Sequence, residues 1–407
     1  MVPRHKIDLT VADLLFAAAA CAVARSPAQR EDAVLRTWGR QDALVCLSVR
    51  SGFDLLLDAL ALPQGSEALV SAITHPDIVR ILERHRLVPV PVELDLTKLA
   101  PQPGHLERAL TARTRLLLVA HLFGGRVDLA PLAEVARTRG LLLVEDCAQS
   151  FGVGPPGGDP LADVSLFSFG PIKTSTALGG AVVRVADPAL LARMRGLESR
   201  RPRQRRSAYA CRVARFAGLA ILAHPAIYGA LARLVDLDRV VTRSVRGLPG
   251  SEEKLFERLR VRPSAPLLTL LARRLRRFDG AVIAERARAG EEVALMLSPQ
   301  LVRPGAQAAD RTHWVFPIVA DDPGLLVEAL RSAGFDAARG TTALGVVPAP
   351  AGRPELEARA ATDLMRRVVF LPVYPRVGAR GRRRLTEAAN ASLAVPEARE
   401  RSSGVYG

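Results

Sequence analysis

From Leu44 to about Val185, short apolar runs of strand length alternate with longer stretches whose apolar residues recur at helical spacing. A run that is apolar at every position cannot have one wet face. It belongs to a strand covered on both sides, and such strands occur in parallel sheets flanked by helices. The expected architecture is therefore α/β, with a large domain built on a mostly parallel sheet. HWVFPIVADDPGLLVEALRSAGFDAARG (313–340) reads as strand, helix and turn, so a smaller C-terminal α/β domain should follow. The expected division is residues 1–285 for an N-terminal arm and the large domain, with a helical insertion at about 200–250, and residues 286–407 for the small domain. A chain of 407 residues can bury both cores.

One basic residue inside this pattern is unusual. Of 57 basic residues only Lys6, Lys98, Lys173 and Lys254 are lysine, so a position needing only positive charge would carry arginine. Lys173 lies in the apolar strand-and-turn passage SLFSFGPIKTSTALGGAVVRV (165–185). A desolvated lysine can become a free amine and form a Schiff base, which arginine cannot. Upstream, LLLVEDCAQSFG (141–152) reads as a buried strand turning polar at its end, which puts Asp146 where open α/β sheets bind ligands. VCLSVRSGFDLLLDALALP (45–63) then supplies an apolar stretch, Ser51-Gly52 and a helical pattern, a helix start whose N–H groups can hold a phosphate. Ser168 can add a hydroxyl. A lysine amine, a carboxylate for a pyridine nitrogen and a phosphate cradle are the three requirements of pyridoxal 5′-phosphate.

In order along the chain, RSGFDLLLDAL, SAITHPDIVRILERHRLVPVPVELD (71–95), AHLFGGRVDLAPLAEVARTRGLLLVEDCAQSFG (120–152), FSFGPIKTSTALGG (167–180) and VVFLPVYPRV (368–377) resemble the DegT/DnrJ/EryC1/StrS aminotransferases. These are fold type I pyridoxal-phosphate enzymes that mostly aminate keto-sugar nucleotides. The resemblance implies that Lys173 forms the Schiff base, Asp146 pairs with the pyridinium nitrogen and Gln149 reaches the ring hydroxyl side. It also implies that Ser168, Ser51 and Gly52 hold the phosphate and that His75 stacks on the ring where the family has an aromatic residue. Arg260 stands in place of the family's partner-subunit asparagine and is expected to reach the phosphate across a homodimer interface. The family's usual threonine is Phe53 here. Its histidine loop for sugar nucleotides is not evident at TTALGVVPAPAGRPE (341–355). The expected activity is amino transfer from an amino acid, by default L-glutamate, to a keto acceptor, by default a keto-sugar nucleotide.

The formal net charge of +16 raises a different class, a basic nucleic-acid-binding protein. The arginines are spread through the chain and aromatics are only 4%, so a base-stacking platform is not expected. A regulatory pyridoxal-phosphate-fold protein without catalysis is a further alternative, but it would have no need to keep both Lys173 and Asp146. Cys21, Cys46, Cys147 and Cys211 are widely spaced, which argues for a reducing compartment and against a metal site. VADLLFAAAACAVA (11–24) follows Arg4 and Lys6 in a manner superficially like a signal peptide. Asp8 and Asp13 intrude, so an amphipathic helix of a cytoplasmic protein is expected.

The middle of the chain is not explained by the resemblance. After ESRRPRQRR (198–206), residues 207–250 are strongly apolar, with an uncharged run from Phe216 to Ala232 broken by His224-Pro225. That run is short of the roughly 20 residues that span a bilayer. A basic cluster beside apolar helices suits peripheral contact with the inner face of a membrane through about residues 207–245. Burial of the segment as a helical insertion, in the dimer interface or against the large domain, is the alternative.

Overall fold

A computed structural model describes residues 1–3, 7–222, 252–339 and 344–393. Residues 223–245 of the segment expected to meet a membrane lie outside the described residues, as do Arg4, Lys6 and residues 341–343.

The central sheet contains β1 (Ala43–Cys46), β2 (Glu67–Ser71), β3 (Val88–Val92), β4 (Thr114–Ala120), β5 (Leu142–Asp146), β6 (Val164–Ser168) and β7 (Ala181–Val185). Their spatial order is β1-β7-β6-β5-β4-β2-β3. β7 is antiparallel to both neighbours, and the pairings from β6 across to β3 are all parallel. The sheet is thus mostly parallel. Alternate residues along a strand enter different cores, as the two-residue period requires. Leu44, Leu116, Leu118, Val144 and Val183 pack with Phe53, Leu56, Ile81 and Met194 on one face. Val45 and Val182 meet Leu267, Leu268 and Leu271 on the other, where Leu117, Val119 and Leu143 also join Leu106, Leu132 and Ala136. This double covering is why the strands read as unbroken apolar runs.

The helices that cover the sheet start on recognisable caps. α1 (Val11–Val23) has a Thr10–Asp13 capping box. α2 (Pro27–Trp38) follows, and α3 (Val49–Leu60) is capped by the Ser48 hydroxyl, which accepts from the Ser51 N–H. α4 (Pro76–Arg84) has His75 as its cap and proline at its first position. α5 (Pro103–Ala109) and α6 (Ala130–Arg139) connect the parallel strands. α7 (Pro188–Ser199) is capped by Asp187, and α8 (Arg206–Leu222) leads toward residues 223–251.

The C-terminal part is a three-stranded antiparallel sheet of Phe316–Val319, Val368–Leu371 and Ala338–Arg339. One face packs under the helices Ala281–Met296, Pro323–Ser332 and Ala379–Ala391 through Val293, Ile318, Leu326, Leu330, Val369 and Leu385. The other face presents Val319, Val368 and Phe370 to Ile73, Leu94, Leu122 and Phe123 of the large sheet's loops. Helix Ala281–Met296 runs through the expected boundary at 285/286.

Candidate active site

Parallel pairing forces the loops after successive strands to one edge of a sheet. Ala120 is in register with Asp146, Asp146 with Leu166, and Ser168 and Cys46 both with Ala181. The start of α3, the His121–Phe123 loop, Asp146 with Gln149, and Ser168 with Lys173 therefore share this edge. His75 follows β2 there as well.

Lys173 sits in the β6–β7 loop, where its N–H donates to the Gly170 carbonyl at 3.0 Å. Its ammonium lies 4.2 Å from the centroid of the Trp314 ring, a cation–π contact. Burial lowers the lysine pKa and Arg50 lowers it further by repulsion, against the attraction of Asp146, to about 8. Burial likewise raises Asp146 above the usual carboxylate range, although the Ala148 N–H and the charge of Lys173 pull it back. For both groups desolvation outweighs their mutual attraction. The result is an amine that is partly neutral close to physiological pH.

Behind Asp146 lies a fully buried support. His121 Nε2 is 2.9 Å from Glu145 Oε2, and His121 Nδ1 accepts from the Val127 N–H at 3.1 Å. That acceptor role places the ring proton on Nε2, facing Glu145. The His121 N–H donates to the Asp146 carbonyl at 3.1 Å, so the strand end is held from below. Burial would raise the Glu145 pKa, yet the bond from His121, the Ser165 hydroxyl and the Asp159 N–H hold it at about 2. His121, Glu145 and Cys147 also bring three metal-ligand atom types together. Both nitrogens of this imidazole are already occupied.

The phosphate end differs from the sequence expectation. The helix starts two residues before Ser51: the Ser51 N–H donates to Ser48 Oγ at 3.1 Å and the Gly52 N–H to the Ser48 carbonyl at 3.0 Å. Ser51 is buried, with its hydroxyl 2.9 Å from that of Ser48. A Cβ on Gly52 would stand 2.5 Å from Val183 Cγ2, so this glycine serves close approach of helix to sheet. The N–H groups without a partner among the described residues are those of Val49 and Arg50, one step earlier in the first turn. Arg50 Nη1 reaches Asp77 Oδ2 at 2.5 Å, tying the start of α3 to the start of α4.

His75 is half-buried, and its Nδ1 accepts from the Asp77 N–H at 3.1 Å. Gln149 Oε1 accepts from the Phe123 N–H at 2.8 Å. Ser168 stands at the end of β6, its hydroxyl 3.4 Å from the Gly170 N–H. Arg260 is engaged elsewhere: its Nη2 is 3.0 Å from Asp54 Oδ1, and Asp54 also binds Arg201 and His85. The guanidinium expected to cross a subunit interface is thus held by its own chain's α3. Asp54, Asp58 and His85 form a second cluster of metal-ligand type, into which Arg201 and Arg260 already bring two positive charges.

Sequence reasoning missed five residues around Lys173 and Asp146: Trp314, Arg50, His121, Glu145 and Arg286. Arg286 donates from Nε to the Thr312 carbonyl at 2.9 Å and from Nη1 to the Thr174 hydroxyl at 3.2 Å, beside Lys173. Burial lowers its pKa to about 10, and it forms no ion pair among the described residues. A free carboxylate inside an apolar strand, as in VED, was the one available signal for the His121–Glu145 pair.

Residues 25–220 match the DegT/DnrJ/EryC1/StrS aminotransferase family. Just under half of the chain therefore carries the pattern of that family. It is 39% identical over 160 residues to the erythromycin biosynthesis sensory transduction protein EryC1 of Saccharopolyspora erythraea, covering 38% of this chain and 44% of that one. It is 32% identical over 157 residues to the UDP-N-acetyl-3-dehydro-alpha-D-glucosamine 3-aminotransferase of Acidithiobacillus ferrooxidans, covering 38% and 42%. The chain thus matches less than half the length of these curated relatives. Over the whole chain the fold is similar to that of a putative sugar aminotransferase from Streptococcus pneumoniae in its pyridoxal-phosphate form. The TM-score is 0.70 at 14% identity, with 97% of this chain and 98% of the other covered. The DegT/DnrJ/EryC1/StrS match ends at residue 220, inside α8, and α1 lies before its first residue.

Proposed function

We propose that this chain is a pyridoxal-phosphate-dependent aminotransferase that moves an amino group from an amino acid, by default L-glutamate, to a keto-sugar intermediate. The observation that carries this reading is the pairing of a pKa-depressed lysine with a carboxylate on adjacent parallel strand ends, one loop away from an unpartnered helix start. The donor set fits the cofactor: an amine, an anion for the pyridine nitrogen, and N–H groups for the phosphate. The names of the relatives and structural neighbours support the sugar class.

The cofactor, when bound, supplies an electron sink that makes the donor's α-hydrogen acidic. Lys173 provides the attachment amine and, once displaced, the base that takes and returns that proton at Nζ. Asp146 holds the pyridine proton and is itself held by the Ala148 N–H and the His121–Glu145 support. Gln149, oriented by its bond from the Phe123 N–H, would have its amide nitrogen left to donate to the ring hydroxyl. The Val49 and Arg50 N–H groups with Ser168 receive the phosphate, and His75 covers the ring. Arg286 is the buried cation available to a donor carboxylate. A homodimer in the cytoplasm completes the proposal, because the family builds each site between two subunits and the four cysteines are all free thiols.

The test is the absorbance of purified protein with pyridoxal phosphate, before and after L-glutamate, beside Lys173→Ala. A visible band that requires Lys173 and bleaches with glutamate is expected. Its absence from both proteins overturns the assignment.

A further inference from the structure

α1 is built almost entirely of apolar residues, and its outward side packs on nothing among the described residues. Its inward side carries Asp13, Ala17 and Ala20. Asp13 is the helix's one charged residue, and it is bound by Arg273 and Arg274 at 3.1 and 2.9 Å. At the far end, Ala20 and Ala24 meet Ala265.

The outward side is Val11, Ala12, Leu15, Ala18, Ala19, Ala22 and Val23, all exposed. Val11 is 73%, Leu15 66% and Val23 72% accessible. At about 100° per residue these seven positions fill one continuous arc. A helix facing water ordinarily carries its charges there; this one carries none.

α8 packs beside α1 and continues the surface. It buries Tyr209, Val213 and Phe216 and turns Ala208, Cys211, Ala214 and Gly218 outward. Its far end leads into residues 223–251, whose first ten positions carry no charge. Arginines flank the surface at the helix ends, where Arg25, Arg205 and Arg206 are exposed, and Arg215 is exposed within the outward arc of α8 itself; Arg206 Nη2 donates to the carbonyls of Cys21 and Ala22 at the end of α1.

We propose that the outward faces of α1 and α8 form a docking surface for an anionic phospholipid bilayer. Seven apolar side chains in a row suit insertion at the headgroup boundary, and the arginine border suits anionic lipids. Two copies of the chain joined across this face by a two-fold axis would set arginine border against arginine border, whereas anionic headgroups neutralise it. No described helix is long and apolar enough to cross a membrane, so the contact lies in the plane of the interface. The proposal is independent of the chemistry at Lys173.

The experiment is flotation of the full chain with phosphatidylcholine vesicles, with and without phosphatidylserine, for wild type and Val11→Glu/Leu15→Glu. Both positions are exposed, and unchanged circular dichroism and thermal unfolding report that the variant is folded. Wild type should float with phosphatidylserine vesicles, and the variant should lose at least about tenfold in bound fraction, each replaced side chain adding a headgroup-repelled charge. The proposal is overturned if wild type does not float, or if the variant floats equally well. A loss of dimer in sedimentation with no vesicle binding would assign the face to a second copy instead.

Discussion

The pKa of Lys173 should be readable directly as the pH dependence of cofactor capture. Only the neutral amine attacks an aldehyde. With the ordinary value of 10.5, a lysine at pH 8 is about 0.3% neutral; with a value of about 8 it is about half neutral, a gain of roughly 150-fold in nucleophile. The rate at which apo-protein captures pyridoxal phosphate should therefore reach half its plateau near pH 8. The neighbours fix two further signs. Arg50 lowers this pKa and Asp146 raises it, so Arg50→Met should move the midpoint up and Asp146→Asn should move it down. Stopped-flow absorbance over roughly pH 6 to 10, with Lys173→Ala as the blank, separates midpoint from plateau, and weaker cofactor binding in a variant alters only the plateau. A wild-type midpoint close to that of free lysine, or both variants moving it in the same direction, would refute the electrostatic reasoning.

Three other outcomes test the frame around the site. Gly52→Ala should destabilise by about 1–3 kcal/mol, because the new Cβ meets Val183 Cγ2 at 2.5 Å; helix propensity alone predicts a gain of about 0.5–1 kcal/mol, so the sign in urea unfolding decides. Glu145, held at about 2 against an ordinary 4.5, contributes stability that is fully present above pH 4.5 and lost as pH falls toward 2, about 3 kcal/mol in all. Acid titration of unfolding in Glu145→Gln should lack this loss. Glu198 has the opposite sign: burial first, then the charge of Glu31, raises it to about 7 against the arginines around it. Its folded state prefers the proton, so stability should fall by about 3 kcal/mol as pH rises from 4.5 to 7. Glu198→Gln should flatten that slope.

The sheet was legible because its strands are buried on both faces, and nothing else makes LLLV or ALVC apolar at consecutive positions. Lys173 and Asp146 stand out for a related reason: an ionisable residue buried at the end of such a run carries a desolvation cost. Arg50 was hidden by a shift of one half-turn. Taking Ser51-Gly52 as the helix start ignored Ser48, whose hydroxyl caps the helix and frees the N–H groups of Val49 and Arg50. Trp314 and Arg286 come to Lys173 from more than a hundred residues away, through packing of Phe123 and Phe370 across the two sheets. No local pattern encodes such an encounter. Arg260 meets Asp54 across more than two hundred residues, an encounter that no local pattern encodes either.

α8 joins the two surfaces that give this chain its character. On its inner side the Tyr209 hydroxyl donates to the Ala177 carbonyl at 2.8 Å and Arg212 Nη1 to the Leu178 carbonyl at 3.0 Å, so the loop that carries Lys173 hangs from this helix. On its outer side it extends the apolar face of α1. Deleting residues 207–245 would therefore remove part of the proposed lipid-docking surface and the support of the Lys173 loop together, and a combined loss of flotation and absorbance would not separate them. Substitutions at Val11 and Leu15 leave both of those bonds untouched. Only changes confined to the outer face can show whether this fold carries a membrane-facing side that is separate from the sheet edge holding Lys173 and Asp146.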